Sequence, residues 1–306
     1  MVAETRVEVM GTHAHLAVDD DHAELLAPAV ARLEDLASRW TRFDPASELS
    51  RLNAADGRPT VVSLDTATLV ADAVDGWRRT AGRFDPSVHD AVIAAGYDRT
   101  FVAGPGPSGA PAPAPGLADV QVDVATGVVT LPPDVRLDLG GIGKGHAADR
   151  VTEALVADGA TGAAVSIGGD ARVAGECPFA DGWPIVTAGR DLPIARLRAG
   201  GFCYSTVRLR RWTIAGTERH HLIDPSRGVP TDGAVLDVAV AAATATLAEV
   251  HATAAIVAGM PGAVDHVRSA GLEGFVIDAT GAVHEVGRKD QSPPVFVLAA
   301  DGTSRE

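Results

Sequence analysis

The amino-acid sequence predicts an α+β protein, with mixed and antiparallel sheets and helices packed on them. Three observations carry this. Of 306 residues, 46% are apolar and 22% charged, the balance of a chain that buries a sizeable core. Segments alternating at the strand period lie beside segments with helical spacing. Their order mixes hairpins with crossovers instead of repeating one strand–helix unit, which disfavours a doubly wound parallel sheet.

From the start, Arg6 to Val18 alternates like a half-buried strand interrupted at Gly11. Asp20 to Trp40 places Leu25, Leu26, Ala29, Val30, Leu33 and Leu36 at helical spacing after an acidic start that suits a helix N-terminus. Thr41 to Pro59 is rich in Asp, Pro, Ser and Asn and reads as a loop. Asp65 to Ala81 reads as a helix, capped by Ser63 or Asp65. Ala103 to Gly116 is almost entirely Ala, Gly and Pro, the composition of a flexible surface loop. It is too short to divide domains, so residues 1–306 are expected to form a single unit.

The second half is more regular. Asp119 to Leu131 reads as a hairpin turning near Thr126-Gly127, and Arg136 to Leu139 as a short strand entering a glycine-rich turn. Gly145 to Ala157 is a helix, and Ala163 to Ile167 a strand running into Gly168-Gly169-Asp170. Strand pairs follow to Ile214, with a turn at Ala215-Gly216. Val235 to Ala242 is a buried strand, Thr244 to Ala258 an alanine-rich helix, His266 to Ala270 the end of another helix, and Phe275 to Ile277 a strand.

Charge and composition exclude several classes. With 26 basic and 40 acidic side chains, the net charge of −14 repels phosphate backbones and argues against nucleic acid as the main partner. No apolar run approaches the roughly 18 residues that span a bilayer. The first residues lack secretory grammar, so cytoplasm is the expected compartment. Cys177 and Cys203 can pair, but two cysteines in a chain this long need no disulfide framework.

Four features carry chemistry. In Asp138-Leu-Gly-Gly-Ile-Gly-Lys-Gly145, glycines let backbone approach a ligand, and a helix N-terminus with Lys144 favours an anion. The spacing fits neither a Walker A loop nor a dinucleotide fingerprint, since Asp138 and His146 stand where glycines are required. In His220-His221-Leu-Ile-Asp-Pro-Ser-Arg-Gly228, adjacent strand histidines point to opposite faces, so at most one reaches a shared pocket. Glu249 and Thr253 share a helix face, a sparse hard-oxygen pair that suits Mg²⁺ as well as it suits a solvated face. Two Phe-Asp-Pro turns place Phe43 and Phe84 beside carboxylates, where their rings can sandwich a planar heterocycle or simply fill core.

Taken in order, these segments resemble the ApbE family of FAD:protein FMN transferases. The matching motifs are Met10-Gly-Thr12, Phe43 to Ser50, Phe84 to Pro86, Asp138 to Gly145, Gly168 to Asp170, Ser205-Thr206, His221 to Pro225, and Glu249 with Thr253. The resemblance implies a T-fold-like architecture and Mg²⁺-dependent transfer of FMN from FAD to a Thr or Ser hydroxyl of an acceptor protein, with release of AMP. It implies FAD contacts at Met10, Phe43, Arg83, Phe84, Asp85, Asp138, Lys144 and Ile223. It further implies Mg²⁺ held by the Gly141 carbonyl with the side chains of Glu249 and Thr253, and His221 as the catalytic histidine. The implied partner is a flavoprotein carrying an Asp-Gly-x-Ser/Thr-Gly-Ala-Thr/Ser segment. Asp158 to Ala164 imitates that segment, but Ala164 has no hydroxyl to modify.

The chain departs from the family pattern at several points. Glu249 stands where most members have Asp, Ala252 where some have another carboxylate, Val207-Arg208-Leu209 where Ser-Gly-Asp is usual, and His146 where an aromatic is common. Two other readings use the same residues: an FAD pyrophosphatase releasing FMN and AMP, and a non-catalytic FAD-binding protein.

Overall fold

The computed structural model describes residues 1–100, 104–106, 108–185, 195–287 and 296–298; Ala103 and Pro107 of the Ala/Gly/Pro-rich loop lie outside them. The chain opens with a hairpin, β1 (Val2–Val9) and β2 (Thr12–Asp19). Its turn is Met10-Gly11, both at positive φ (52° and 67°), the left-handed pair that matches strand twist in a two-residue hairpin. A 3₁₀ turn, Asp20–Leu25, leads into α1 (Leu26–Trp40), which buries Leu26, Ala29, Leu33, Leu36 and Trp40.

The polar stretch read as a loop contains a short helix, α2 (Glu48–Asn53). Ser47 caps it by accepting the Ser50 N–H, and Leu49 and Leu52 are buried, too few apolar positions to show a period. β3 (Thr60–Val61) precedes α3 (Leu64–Arg79), whose cap is Ser63. A 3₁₀ turn, Pro86–Val88, and α4 (His89–Ala94) follow. Described residues of the Ala/Gly/Pro-rich loop are hydrogen-bonded to the body, through Gly106 N–H to Gly96, Gly109 N–H to Ala94 and Ala114 N–H to Pro225.

β4 (Gln121–Asp123) and β5 (Val128–Thr130) form the expected hairpin, to which β3 adds. Arg136 to Leu139 does not form the predicted strand. A side chain replaces the strand partner there: Asn53 accepts the Leu137 N–H at 2.8 Å and donates to its carbonyl at 2.9 Å. Asp138 N–H bonds the Pro86 carbonyl.

Next come α5 (Gly143–Ala157), β6 (Gly162–Ile167), β7 (Asp170–Gly175), β8 (Trp183–Ile185), β9 (Ala195–Leu197) and β10 (Gly200–Thr206). β11 (Arg211–Ile214) pairs with β12 (Thr217–His220), and β13 (Ile223–Asp224) with β14 (Val229–Pro230). The chain continues through β15 (Val235–Ala242), α6 (Ala245–Ala258), α7 (Gly262–Ser269), β16 (Glu273–Asp278), β17 (Val283–Val286) and β18 (Phe296–Leu298).

The largest sheet among the described residues runs β1-β2-β6-β7-β10-β15-β16-β17, and each of its pairings is antiparallel. Side chains alternate across it. On β10, Phe202 and Tyr204 join an apolar cluster with Trp183 and Phe275 on one face, while Cys203 joins the cluster under α6 on the other. Both cysteines are free. No helix among the described residues is long and apolar enough to cross a membrane.

Candidate active site

The site forms where α5 starts against the side of α6. Gly145 lets the two helices touch: a Cβ there would lie 2.5 Å from the Ala245 carbonyl oxygen. At this approach, Gly145 N–H donates to Glu249 Oε2 at 2.8 Å. Lys144 donates to Glu249 Oε1, pairs with Asp170 Oδ2 at 2.9 Å, and reaches the Gly140 carbonyl at 3.2 Å. Glu249 and Asp170 are 1% and 2% exposed, so two buried carboxylates share one ammonium.

Burial works against the Lys144 ammonium, but the charges of Asp170 and Glu249 outweigh it and raise its pKa, so it stays charged. Burial, with the repulsion of Asp170, lifts Glu249 to about 7 against the pull of Lys144. With both carboxylates ionised the cluster is one positive charge short, which is why Glu249 resists ionisation in the absence of a further cation. Thr253 lies one turn along α6, and its Oγ1 is 3.4 Å from where a Gly141 Cβ would stand. No group of three or more His, Cys, Asp or Glu side chains suited to a metal occurs among the described residues. The donors at this spot are instead one carboxylate, one hydroxyl and backbone carbonyls, a hard-oxygen set with unbalanced negative charge. That fits Mg²⁺, which keeps waters and shares substrate phosphates.

The Asp138 turn is tied to the aromatic loop by Arg42, a residue the sequence reading did not single out. Its Nε lies 2.9 Å from Asp138 Oδ2, and its guanidinium carbon 4.3 Å from the Phe43 ring centroid and 4.8 Å from that of Tyr97. Phe43, Tyr97 and Trp212 form a row with centroids 6.0 and 5.5 Å apart, and Ile223 packs in the cluster with Trp212. Phe43 is 39% exposed and offers a ring face. Phe84 is 3% exposed, wedged between Gly76 and Gly141. It supports the glycine turn from beneath. Asp85 is buried as well, accepting from Ser87 and from Trp77 Nε1, and burial raises its pKa.

The histidine pair divides its roles. His220 Nδ1 accepts the Leu222 N–H at 3.3 Å, which leaves Nε2 to donate to the Thr231 carbonyl at 3.2 Å. Both of its nitrogens are committed. His221 Nδ1 is buried with no hydrogen-bond partner among the described residues. Burial, then the charges of Arg210, His220 and Lys144, push the His221 pKa well below the usual imidazole value, so it is a neutral base at pH 7. A Gly11 Cβ would lie 3.8 Å from the Arg210 guanidinium, which places the Met10 turn beside the arginine that acts on His221.

Thus Asp138, Gly141, Lys144, Glu249 and Thr253 are brought together, with His221 in electrostatic reach of Lys144 and Phe43 linked through Arg42. Arg83 is not with them. It lines a separate groove of about 350 Å³ with Leu247, His251 and His266. Leu247 and His251 lie on the α6 face turned away from Glu249 and Thr253. Asp170 was visible as part of a Gly-Gly-Asp turn, but nothing in the sequence signals its bond to Lys144.

The ApbE family model matches residues 10–276. The FAD:protein FMN transferase of Rhodobacter capsulatus is 30% identical over 255 residues, covering 77% of this chain, which spans about half (47%) of that relative. That of Haemophilus influenzae is 27% identical, covering 89% of this chain and 85% of its own. The crystal structure of the ApbE protein of Thermotoga maritima superposes with a TM-score of 0.81 at 23% identity, covering 93% of this chain and 97% of that one, a likeness of fold.

Proposed function

The chain belongs to the ApbE family, and on that premise we propose that it transfers FMN from FAD to a Thr or Ser hydroxyl of an acceptor protein, releasing AMP. The observation that carries this reading is the buried Lys144–Glu249–Asp170 cluster at the α5 N-terminus, with a neutral His221 in its electrostatic reach. A pyrophosphate needs cations and N–H groups, and an attacking hydroxyl needs a base. The start of α5 presents its positive dipole end and Lys144 to a phosphate. Gly143, where a Cβ would meet nothing within 4 Å, leaves room for one.

Phe43, with Tyr97 and Trp212 behind it and Ile223 in the same wall, offers the flavin ring a stacking face. The Met10 turn lies beside Arg210, and Asp138 is fixed by Arg42 and by the Gly140 N–H. Phe84 supports the Gly141 turn from below, and Asp85 orders the neighbouring Pro86 turn, whose carbonyl accepts the Asp138 N–H. His221 takes the proton of the acceptor hydroxyl as its oxygen attacks the FMN phosphorus. The bond from that phosphorus to the bridging oxygen breaks, and AMP departs with the electron pair. Such a base typically contributes about 10²–10⁴-fold. Glu249, Thr253 and the Gly141 carbonyl would hold Mg²⁺, which supplies charge neutralisation and alignment of the phosphates.

The acceptor is expected to carry an Asp-Gly-x-Ser/Thr-Gly-Ala-Thr/Ser segment. One incubation with FAD, Mg²⁺ and such a peptide, with an EDTA control, tests the reading by mass spectrometry and nucleotide chromatography. Peptide carrying FMN with matching AMP is the expected result. Free FMN and AMP beside unmodified peptide would make the protein a pyrophosphatase, and intact FAD a binding protein.

A further inference from the structure

Both oxygens of Glu249 are in use. Oε2 accepts the Gly145 N–H at 2.8 Å, and Oε1 accepts from Lys144. Lys144 has three N–H groups, and its Nζ lies at Glu249, at Asp170 Oδ2 (2.9 Å) and at the Gly140 carbonyl (3.2 Å), so the ammonium is fully satisfied. Its side chain is 20% exposed, whereas those of Glu249 and Asp170 are 2% exposed each. The lysine side chain is thus the part of this cluster that reaches solvent, and the two carboxylates are closed off from it.

We infer that Lys144 is a built-in placeholder: in the free protein its ammonium occupies the cation position at Glu249, and Asp170 is the positioning residue that keeps hold of it when a divalent ion takes Glu249. This rests on the function proposed above and adds an order of events to it. A divalent ion and an ammonium on one buried carboxylate oxygen repel each other strongly where water does not screen them. The ion therefore has to displace Lys144. The four-carbon lysine stem can turn without moving α5, and a phosphate at the α5 N-terminus attracts the ammonium toward itself. Asp170 remains within reach, so Lys144 turns on one retained partner. FAD binding then frees Glu249 Oε1 for the metal, and by linkage the metal favours FAD by the same factor.

The test measures Mg²⁺ binding by calorimetry, with and without FAD, in the absence of acceptor. Lys144→Met should bind Mg²⁺ more tightly than wild type without FAD, by roughly tenfold, the equivalent of about 1.4 kcal/mol. FAD should tighten Mg²⁺ binding by a larger factor in wild type than in Lys144→Met, where the phosphates still share the ion but no ammonium has to be displaced. Lys144→Gln reads the same effect if the methionine variant misfolds. Asp170→Asn should weaken Mg²⁺ binding more in wild type than in the Lys144→Met background, a difference that loss of charge alone does not produce. Equal or weaker Mg²⁺ binding in both Lys144 variants, or no effect of FAD on wild type, overturns the placeholder. Wild type assayed in parallel for peptide flavinylation separates the two readings. Transfer with Lys144-independent metal affinity removes the placeholder alone, and absence of FAD binding removes the proposed function with it.

Discussion

Replacing Gly145 with alanine pits helix propensity against packing, and the structure decides the sign. In a helix, alanine is favoured over glycine by about 0.8–1.0 kcal/mol, so propensity alone predicts a more stable protein. A Cβ at Gly145, however, would lie 2.5 Å from the Ala245 oxygen, 2.7 Å from its carbonyl carbon and 3.0 Å from Thr246 N. These are backbone atoms that cannot rotate aside, so α5 must shift off α6, and overpacking of this kind costs about 1–3 kcal/mol. The shift also lengthens the Gly145 N–H bond to Glu249, a hydrogen bond to a carboxylate of a class contributing about 1.5–3 kcal/mol. Subtracting the propensity gain leaves a loss of roughly 1.5–5 kcal/mol, or, for a chain of 306 residues, a Tm lower by roughly 2–8 °C. Gly143 is the internal control. Two residues earlier, its Cβ would meet nothing within 4 Å, so Gly143→Ala should be neutral or stabilising by up to about 1 kcal/mol. Differential scanning calorimetry of both variants settles it. A Gly145→Ala protein melting at or above wild type, or two variants melting alike, would refute the packing argument.

Three further outcomes are expected. His221→Ala should lower peptide flavinylation by about 10²–10⁴-fold while FAD affinity, read by flavin fluorescence, stays nearly unchanged; loss of both together would make His221 structural. Asp149 accepts from Ala245 N–H, Thr246 N–H and the Thr246 hydroxyl. Asp149→Ala should therefore destabilise by roughly 2–4 kcal/mol in denaturant titration, and a midpoint shift below about 0.5 kcal/mol, the scale of an ordinary surface change, would refute that role. Burial, with His251 and Arg83, lowers the His266 pKa to about 4. The unfolded chain then binds this proton near pH 6.5 and the native protein only near pH 4, so stability is full above about 6.5 and falls as pH drops toward 4. Because His266 is partly solvated, that loss is discounted to roughly 1–2 kcal/mol. His266→Gln should flatten the slope of Tm against pH, and an unchanged slope would show that other groups set it.

Much of the fold was legible because the long elements carry their own periods. The α1 stripe, the Ser63 cap and the Val235 to Ala242 strand are local patterns and all form, although α1 begins at Leu26 and Asp20–Leu25, read as its acidic start, is a 3₁₀ turn. Errors fell where structure depends on distant partners. Arg136 to Leu139 looks like a strand by composition, but Asn53, 84 residues away, takes its hydrogen bonds. Phe43 and Phe84 stand in matching Phe-Asp-Pro turns, yet one is an exposed ring and the other core, because only Phe84 lies between α3 and the Gly141 turn. The site reading has the same limit. A glycine turn with a lysine, a second-half histidine and an acid–hydroxyl pair are visible as chemistry, whereas the bond from Lys144 to Glu249 spans 105 positions and leaves no spacing to read.

The meeting of α5 and α6 links these strands of evidence, since each helix terminates part of the other. Asp149, in the second turn of α5, supplies acceptors to the first N–H groups of α6. Glu249, in the second turn of α6, returns an acceptor to Gly145 at the start of α5. N-terminal N–H groups have no partner within their own helix, so each helix gains most when the other is in one register. That register is the one in which Gly145 touches Ala245, and it sets Lys144 beside Glu249 as a consequence. A buried ammonium between two carboxylates is costly to assemble from free side chains. Here reciprocal capping holds the backbone in that register, and the charged cluster stands on a contact that only glycine permits.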